Sequence, residues 1–455
     1  MKNYYQLTLF EYINTHHRPS LRYIDAKTGH SYNWEEMSSV QLPVENTTKQ
    51  LCFLYLDNSV ACISIFFSLL RTPHCVCLLS GDLKEELKEN LESTYSPGII
   101  IDAKRDAVTG YLKRVAYTPD NVLLPVYIND KVQHQIHPAL RILLPTSGTT
   151  GSPKLVKLTD ENFISNATSI LGYLPITEED TAPLNLPVYY SYGLSVLLSN
   201  SIGGGKILCT NESVLSRNFW EQFKQSGCNS FAGVPYTYEM LRRIGFEKME
   251  GLHLKYFTQA GGKMDVKLRK VFADYAVEHN CQFFVMYGQT EATARMSYLG
   301  PQYAYSKIEA IGKPIPGGKF MLDEQTGELV YEGRNVFKGY AYNANDLQGI
   351  ENILALRTGD LARVDEEGFY YITGRLNRFI KLYGNRVGLD EVEQQLRKKF
   401  DGTIGCTGVN DQFLLIFSDN AALDANEVRN YVSGIFGLHI SALRFKLVEP
   451  IPLNA

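Results

Sequence analysis

An alternation of apolar runs and helical segments near the N-terminus most constrains the fold. QLCFLYLDN at 50–58 predicts a buried strand, and SVACISIFFSLLR at 59–71 predicts the helix that follows it. HCVCLLS at 74–80 and GIIIDA at 98–103 predict two further strands, with a charged helix at 84–94 between them. This rhythm is typical of a parallel sheet covered by helices.

The same alternation returns in the second half of the chain. It predicts helices at 216–227 and 265–280, and strands at 230–235, 254–262 and 282–288. The pattern indicates two α/β sheets, or one sheet with a large, repeat-like second half.

The alternation of strands and helices ends at about residue 310. A chain of 455 residues is too long for one hydrophobic core. Short β runs with glycine-containing turns predict a β subdomain at about 310–376. We therefore predict an α/β protein with a large N-terminal domain of α/β sheets at 1–376, which includes that subdomain. A small, mobile α+β C-terminal domain is predicted at 377–455, with the linker at 374–378.

Charge and composition narrow the classes of partner. The net charge of −4 gives no general attraction to nucleic acid or to an anionic membrane. The most apolar stretch, at 60–70, is too short to span a bilayer, and no secretory signal is visible. Of eight scattered cysteines, only Cys75 and Cys77 are close, which is a poor zinc pattern. We expect a cytoplasmic protein with reduced, buried thiols.

A loop rich in small and hydroxyl-bearing residues, LLPTSGTTGSPKLVKLT at 143–159, follows an apolar run. Backbone N–H groups freed by glycines, hydroxyl donors and one lysine can bind phosphate oxygens. The spacing does not fit GxxxxGK[ST], and GGGK at 203–206 reads as a turn before a strand. Taken alone, the loop is either a phosphate site or a flexible surface loop.

Four further segments follow this loop in order. They are YGQTEATARMSYL at 287–299, GELVYEGRNVFKGY at 327–340, RTGDLARVDEEGFYYITGR at 357–375 and IKLYGNRVGLDEVE at 380–393. Together with the loop they resemble the AMP-forming, adenylate-making ligases: acyl- and aryl-CoA synthetases, adenylation domains of peptide synthetases, and luciferases. The resemblance spans nearly the whole chain.

The resemblance implies that ATP and Mg²⁺ are bound. It assigns the β- and γ-phosphates of ATP to the loop, whose residues are Thr146, Ser147, Gly148, Thr149, Thr150, Gly151 and Lys154. In YGQTE, Tyr287 with Gly288 would stack on adenine, Thr290 would hydrogen-bond a phosphate, and Glu291 would hold the metal. Each has a plainer alternative, such as a core aromatic or a solvated surface acid.

Further residues are assigned by the same resemblance. Asp360 and Arg375 would hold the ribose, and the backbone of Gly261 and Gly262 would pass close to adenine and the acyl pocket. Arg386 matches an arginine that can approach phosphate.

The resemblance implies that the C-terminal domain turns between the two catalytic steps. Its hinge is expected at Asn377, where the family usually has Asp. Arg378 replaces a second Asp, so the charge at the hinge differs from the family pattern.

The family's last segment ends in a Gly-Lys pair whose lysine stabilises charge in the first half-reaction. Here the sequence reads VEPIPLNA at 448–455, without that pair. We expect either a longer natural protein or a shortened enzyme, and slow adenylate formation by the 455 residues.

The acid pocket is expected where 186–205, 233–241 and 259–262 meet. Its candidate residues are Tyr190, Tyr192, Gly193, Gly233, Val234, Pro235 and Ala260. Amino-acid-activating relatives have an Asp where this chain has Gly193, so an α-amino acid is disfavoured, although Glu239 could substitute. An aryl or a short to medium aliphatic acid fits better.

Three functions stay open at this stage. The first is an acid–thiol ligase that makes acyl-CoA. The second is an enzyme that loads an acyl or aminoacyl group onto the phosphopantetheine arm of a carrier protein. The third is a non-catalytic nucleotide-binding module, which the absent lysine would favour.

Overall fold

The computed structural model of the chain describes residues 7–45, 48–146, 154–376, 378–382, 385–409 and 412–448. These residues form eleven α-helices, several short 3₁₀ turns and 26 β-strands. The helices are α1 Leu9–His16, α2 Trp34–Ser38, α3 Val60–Leu70, α4 Glu85–Tyr95, α5 Asp160–Leu171, α6 Ser191–Gly203, α7 Arg217–Gln225, α8 Pro235–Arg243, α9 Val266–Glu278, α10 Leu389–Lys399 and α11 Ala425–Phe436.

The strands of the first half run from β1 to β13. They are β1 Tyr23–Asp25, β2 Ser31–Tyr32, β3 Leu51–Leu56, β4 Cys75–Ser80, β5 Ile99–Asp102, β6 Leu112–Tyr117, β7 Leu123–Ile128, β8 Leu140–Pro145, β9 Leu155–Thr159, β10 Thr181–Pro183, β11 Lys206–Cys209, β12 Ser230–Gly233 and β13 Tyr256–Gln259.

The remaining strands run from β14 to β26. They are β14 Gln282–Gln289, β15 Ala294–Leu299, β16 Lys313–Pro314, β17 Lys319–Leu322, β18 Glu328–Glu332, β19 Tyr340–Ala341, β20 Ala355–Val364, β21 Tyr370–Arg375, β22 Phe379–Leu382, β23 Asn385–Gly388, β24 Ile404–Val409, β25 Phe413–Ser418 and β26 Leu443–Leu447.

The largest sheet among the described strands has the order β19-β9-β8-β4-β3-β5-β7-β6. Its central strands β8, β4, β3 and β5 are parallel, as the alternation of strands and helices predicts. β3 is buried along its whole length, which is why its sequence is a continuous apolar run.

The outer strands of this sheet, which the alternation of strands and helices did not include, are antiparallel. The pairs β5–β7, β6–β7, β8–β9 and β9–β19 are antiparallel. β6 has an almost fully exposed face, so it lacks the apolar run that marks the central strands. The phosphate-loop candidate thus connects two antiparallel neighbours, β8 and β9, with Pro145 opposite Leu155.

The second large sheet has the order β12-β13-β14-β15-β16. β12, β13 and β14 are parallel, and β15 and β16 add antiparallel edges. A smaller sheet has the order β10-β11-β1-β2. Two α/β sheets were expected from the sequence, and both are present.

The chain divides into two compact units, Met1–Lys319 with Glu332–Leu356, and Phe320–Tyr331 with Arg357–Ala455. The second unit contains most of the sheet β17-β18-β20-β21, the hairpin β22–β23 and the sheet β24-β25-β26. Val392 and Leu396 on α10 and Val428 on α11 pack into its apolar core. The domain boundary at residue 376, which concerns movement between reaction steps, stays a prediction.

All eight cysteines are buried and none forms a disulfide. Burial raises the pKa of the Cys75 and Cys281 thiols to about 11. Among the described residues, none of the helices combines the length and the apolar character that a bilayer crossing requires.

A buried histidine makes the first unit sensitive to acid. His74 directly precedes β4 and is fully buried. Its Nδ1 accepts a hydrogen bond from the Gln50 N–H at 3.3 Å. Burial, with Lys49 and Arg141 nearby, lowers the pKa of His74 to about 4. Between pH 6.5 and 4 the unfolded chain therefore takes up a proton that the folded chain does not.

We expect the unfolding free energy to fall by about 3 kcal/mol as pH drops through this window. His74→Asn keeps an acceptor for Gln50 but does not titrate, so it should flatten the dependence. Urea unfolding followed by the fluorescence of Trp34 and Trp220, both in the first unit, measures it. The exposed His253→Asn is the control, and an equal flattening in both variants would contradict the assignment.

Candidate active site

The carboxyl ends of three parallel strands meet at one edge of the second sheet. Gly233, the last residue of β12, lies opposite Gln259, the last residue of β13, and Gln259 lies opposite Val285 on β14. Open α/β sheets bind ligands at this edge. The residues that follow these strands are the predicted pocket residues Val234, Pro235, Ala260, Gly261 and Gly262, and the YGQTE segment ends β14.

The turn after β13 packs directly against the predicted acid pocket. Gly261 has φ +79°, and a Cβ there would lie 2.7 Å from the Tyr190 hydroxyl and 3.1 Å from Cγ1 of Val234. A Cβ on Gly262 would lie 3.3 Å from Cγ of Pro235. Backbone and candidate pocket side chains are thus in contact here, whereas an approach of these two glycines to adenine stays a prediction.

Most of the predicted pocket side chains belong to one apolar cluster. Tyr192 and Ala260 are buried in it, with Met286, and Tyr190 and Val234 pack against it. The Tyr192 hydroxyl contacts Oγ1 of Thr258 at 2.7 Å, and burial raises its pKa. The first unit therefore brings these candidate pocket residues together in one mainly apolar cluster.

The YGQTE segment is held by a bulge and by a link to helix α6. The register of β14 and β15 shifts between Tyr287 and Gly288. A Cβ on Gly288 would lie 1.6 Å from the Ala294 carbonyl oxygen, so only glycine fits. After the bulge, Oγ1 of Thr290 lies 3.2 Å from Oγ of Ser191, the first residue of α6. The phosphate-binding candidate thus adjoins a helix N-terminus.

Glu291 and Lys154 are linked through Tyr340. The Tyr340 hydroxyl donates to Oε1 of Glu291 at 2.8 Å, and Nζ of Lys154 lies 3.8 Å from the centroid of the Tyr340 ring. Burial and the adjacent carboxylate raise the pKa of Tyr340, so the phenol stays a donor. β19 pairs Tyr340 with Val156, which brings the ring beside Lys154.

The GRNVFKGY segment fixes the loop that carries Glu291. The side-chain amide of Asn335 donates to the carbonyl oxygens of Ala292 and Arg295 at 2.7 and 3.1 Å. The Phe337 N–H donates to the Glu291 carbonyl at 2.8 Å. Two of the motifs recognised in the sequence are therefore parts of one hydrogen-bonded structure.

In the second unit, the two ribose candidates face each other across β20 and β21. Asp360 lies opposite Arg375, and Nε of Arg375 is 3.4 Å from the Asp360 carboxylate. Asp360 is nearly buried, whereas the Arg375 side chain is 72% exposed. Arg386 lies opposite Lys381 in the hairpin β22–β23, and its side chain is outside the described structure.

Several predicted residues lie outside the described part of the chain. These are Ser147, Gly148, Thr149, Thr150 and Gly151 of the loop, the hinge candidate Asn377, and residues 449–455. Thr146 is described, and its N–H donates to the Lys154 carbonyl at 3.5 Å. The expectation of slow adenylate formation stays a prediction.

A family model described as AMP-binding enzyme matches residues 48–341, more than half of the chain. The chain belongs to this family. The matched region contains the loop, the acid pocket candidates, YGQTE and the segment that ends at Tyr340.

Similar proteins within this AMP-binding family are named as CoA ligases. The chain is 26% identical to oxalate–CoA ligase of Saccharomyces cerevisiae over 70% of its own length and 62% of that enzyme. It is 26% identical to 2-succinylbenzoate–CoA ligase of Bacillus pumilus over 59% of its own length and 56% of that enzyme. The chain thus aligns with about three fifths of the length of these relatives.

A solved structure confirms the fold. O-succinylbenzoate coenzyme A synthetase from Bacillus subtilis, solved with AMP, matches with a TM-score of 0.76 at 20% identity, over 98% of this chain and 95% of that one. The same enzyme has been solved with ATP and magnesium ion, with a TM-score of 0.73. A mixed α/β fold with a large N-terminal and a smaller C-terminal domain is therefore confirmed.

Three contacts of the candidate site could not be expected from the sequence of this member of the AMP-binding family. Tyr340 joins Lys154 to Glu291, and Ser191 touches Thr290, although neither was singled out. Tyr340 ends the recognised GELVYEGRNVFKGY segment, which was the available signal. Arg295, four residues after Glu291, was not noticed because nothing in its spacing suggests burial.

Gly193 is required by the backbone that it contacts. A Cβ at this position would lie 2.2 Å from the Pro187 carbonyl oxygen and 2.7 Å from that of Leu186. The start of α6 therefore passes too close to the preceding segment for any side chain, including the Asp of amino-acid-activating relatives.

We expect Gly193→Ala to lower the unfolding free energy by about 3 kcal/mol, because the backbone must move to admit one methyl group. Urea unfolding followed by tryptophan fluorescence measures the change. At Gly349, in the same unit, a Cβ meets nothing within 4 Å. Gly349→Ala should change stability by less than about 0.5 kcal/mol, and equal losses in the two variants would refute the steric argument.

Proposed function

We propose that the chain activates a small carboxylic acid with ATP and transfers the acyl group to the thiol of coenzyme A. The observation that carries the proposal is the convergence of the pocket residues and YGQTE at the carboxyl edge of three parallel strands, in a member of the AMP-binding family. The CoA-ligase names of the relatives support the thiol acceptor. Oxalate and 2-succinylbenzoate, the acids in those names, each carry two carboxylate groups.

The proposed reaction has two steps. The substrate carboxylate attacks the α-phosphorus of ATP. The bond between the α-phosphorus and the oxygen that bridges it to the β-phosphorus breaks, and pyrophosphate leaves. The thiol then loses its proton, attacks the acyl carbonyl, and AMP leaves. Tyr287 and Gly288 are assigned to adenine and Thr290 to phosphate. Thr146, residues 147–151 and Lys154 are assigned to the β- and γ-phosphates.

The residues at the β14 end fit a magnesium ion. Glu291 supplies one carboxylate, and Mg²⁺ is commonly held by one or two carboxylates together with substrate phosphates and water. The bound ion would neutralise phosphate charge. The Tyr340 hydrogen bond to Oε1 orients the carboxylate, and the Lys154 ammonium adds a positive charge over the ring.

Asp360, Arg375 and Arg386 are proposed to approach the nucleotide from the C-terminal part of the chain. We propose a functional domain boundary at 376/377, with Asn377 as the hinge. Across β20 and β21 Asp360 and Arg375 already form an ion pair, which supports a joint role in binding the ribose.

The central test is ATP–pyrophosphate exchange with a panel of aryl and short aliphatic acids, followed by addition of CoA or a holo carrier protein. We expect acid-dependent exchange, and AMP with acyl-CoA after CoA is added. If AMP is released from the acyl-adenylate only after the carrier protein is added, the carrier protein and not CoA is the acceptor. Nucleotide binding without exchange for any acid would leave a non-catalytic module and sink the proposal.

Two substitutions test the proposed metal ligand. Glu291→Gln should lower exchange about 100-fold and raise the Mg²⁺ concentration required, since the charged ligand is lost. Tyr340→Phe keeps the ring beside Lys154 but removes the hydroxyl. It should raise the Mg²⁺ concentration required for exchange about 10-fold. Glu221→Gln, in an exposed ion pair on α7, is the control. An unchanged Mg²⁺ requirement in Glu291→Gln would reject the assignment.

A further inference from the structure

Arg295 is a buried cation beside the candidate acid pocket. It lies on β15 with 3% of its surface exposed. Its Nε donates to Oγ of Ser195 at 3.2 Å, and Nη1 lies 3.4 Å from the Tyr173 hydroxyl and 3.3 Å from the sulfur of Met286. The guanidinium carbon lies 5.2 Å from the centroid of the Tyr192 ring. All of these neighbours are uncharged groups.

No carboxylate balances this charge in the described part of the chain. None of the ion pairs found there, at N···O distances up to 4.0 Å, includes Arg295. Burial raises the pKa of Tyr173 and Tyr192, so both phenols are neutral at physiological pH. A buried charge without an opposite charge is costly, which calls for an explanation of why the fold keeps it.

Three other deeply buried cations of the first unit have carboxylate partners. The pairs are Lys88 with Asp102 at 2.6 Å, Arg105 with Glu92 at 2.7 Å, and Arg141 with Asp160 at 3.0 Å. In each pair the acid is also mostly buried. Arg295 lacks the carboxylate that neutralises each of these three cations.

Arg269 shows what a structural arginine without an acid looks like in this unit. It is also buried, and its Nη1 donates to the backbone carbonyl oxygens of Ile308 and Ala310. These strong acceptors hold the chain after residue 305 against α9. Arg295 instead meets hydroxyl groups, a thioether and a ring, which leave its charge largely unbalanced.

The position of Arg295 connects it to the acid pocket. Its neighbours Tyr192, Met286 and Tyr173 belong to the same cluster as Tyr190, Val234 and Ala260. Arg295 also lines a small cavity of about 10 Å³. That volume is about that of one water position, so the cavity marks a polar gap at Arg295 and is smaller than a carboxylate group.

We propose that Arg295 binds a second acidic group of the substrate, so that the enzyme activates short acids that carry a carboxylate or a similar anion beyond the one that reacts. This inference rests on the function proposed above. The first carboxylate would form the acyl-adenylate, and the second would supply the negative charge that the protein itself leaves out. Recognition of a desolvated anion by arginine would select diacids over uncharged analogues of the same length.

The test compares matched pairs of acids in ATP–pyrophosphate exchange. Each pair consists of a dicarboxylic acid and the monocarboxylic acid of equal chain length, such as succinate with butyrate, and phthalate with benzoate. The wild-type chain should have a kcat/KM at least about 100-fold higher for the best diacid than for its partner, as for a desolvated charge pair. The thermal unfolding temperature of the wild-type chain should rise when the diacid is added and should not rise when the monoacid is added.

Three variants separate substrate recognition from a structural role. Arg295→Met should lose about 100-fold in kcat/KM for diacids, mostly through KM, and stay within threefold for monoacids. Arg295→Lys should retain part of the preference, because it keeps the charge. Arg269→Met is the matched control, and should lower the unfolding temperature without changing the ratio of diacid to monoacid. If Arg295→Met does not fold, the wild-type ratio and the ratio in Arg295→Lys decide.

The outcomes distinguish this inference from the proposed function. Selective loss of diacid activation in Arg295→Met supports it. Exchange with monoacids at least equal to that with diacids in the wild type, or equal losses for both in Arg295→Met, overturns it and leaves acid activation standing. Absence of exchange and of a thermal shift with every acid overturns both.

Discussion

The parallel hydrogen bonding of β12, β13 and β14 is the constraint on which the candidate site depends. Because their carboxyl ends share one edge, segments far apart in sequence, at 233–235, 260–262 and 287–291, lie next to one another. A slip of one residue in either pairing would turn the alternate side chains to the opposite face. The apolar interiors of these strands therefore determine both the stability of the sheet and the location of the chemistry.

The site is electrostatically divided. Lys154 lies over the ring of Tyr340, and Glu291 accepts a hydrogen bond from its hydroxyl. Arg295 lies within the apolar cluster that contains the acid pocket candidates, and Asn335 binds the carbonyl oxygens at both ends of the short loop between Glu291 and Arg295. The loop from 291 to 295 thus joins the proposed nucleotide side of the site to the proposed acid side. The Asn335 side-chain amide holds this loop by its backbone carbonyl oxygens.

Much of this arrangement could be predicted because local patterns carried it. The buried strands β3, β4, β12, β13 and β14 and the motif YGQTE have continuous apolar runs or a recognisable residue order. β6 could not be predicted, since its almost fully exposed residues form no apolar run. Arg295 and Tyr340 could not be assigned either, because burial is a property of the tertiary structure, as are partners such as Ser195, 100 positions from Arg295, and Glu291, 49 positions from Tyr340. Gly193 was noted for the side chain that it lacks, whereas the structure shows a steric requirement of the backbone.

The burial of all eight cysteines has a practical consequence. Thiolates, not thiols, react with electrophiles, and buried thiols whose pKa is raised to about 11, as for Cys75 and Cys281, are almost fully protonated near neutral pH. A chromogenic disulfide reagent added to the folded protein would therefore meet few reactive groups of the protein itself. The proposed consumption of a small thiol can then be measured by adding the reagent to samples withdrawn at intervals, without first removing the cysteines of the chain.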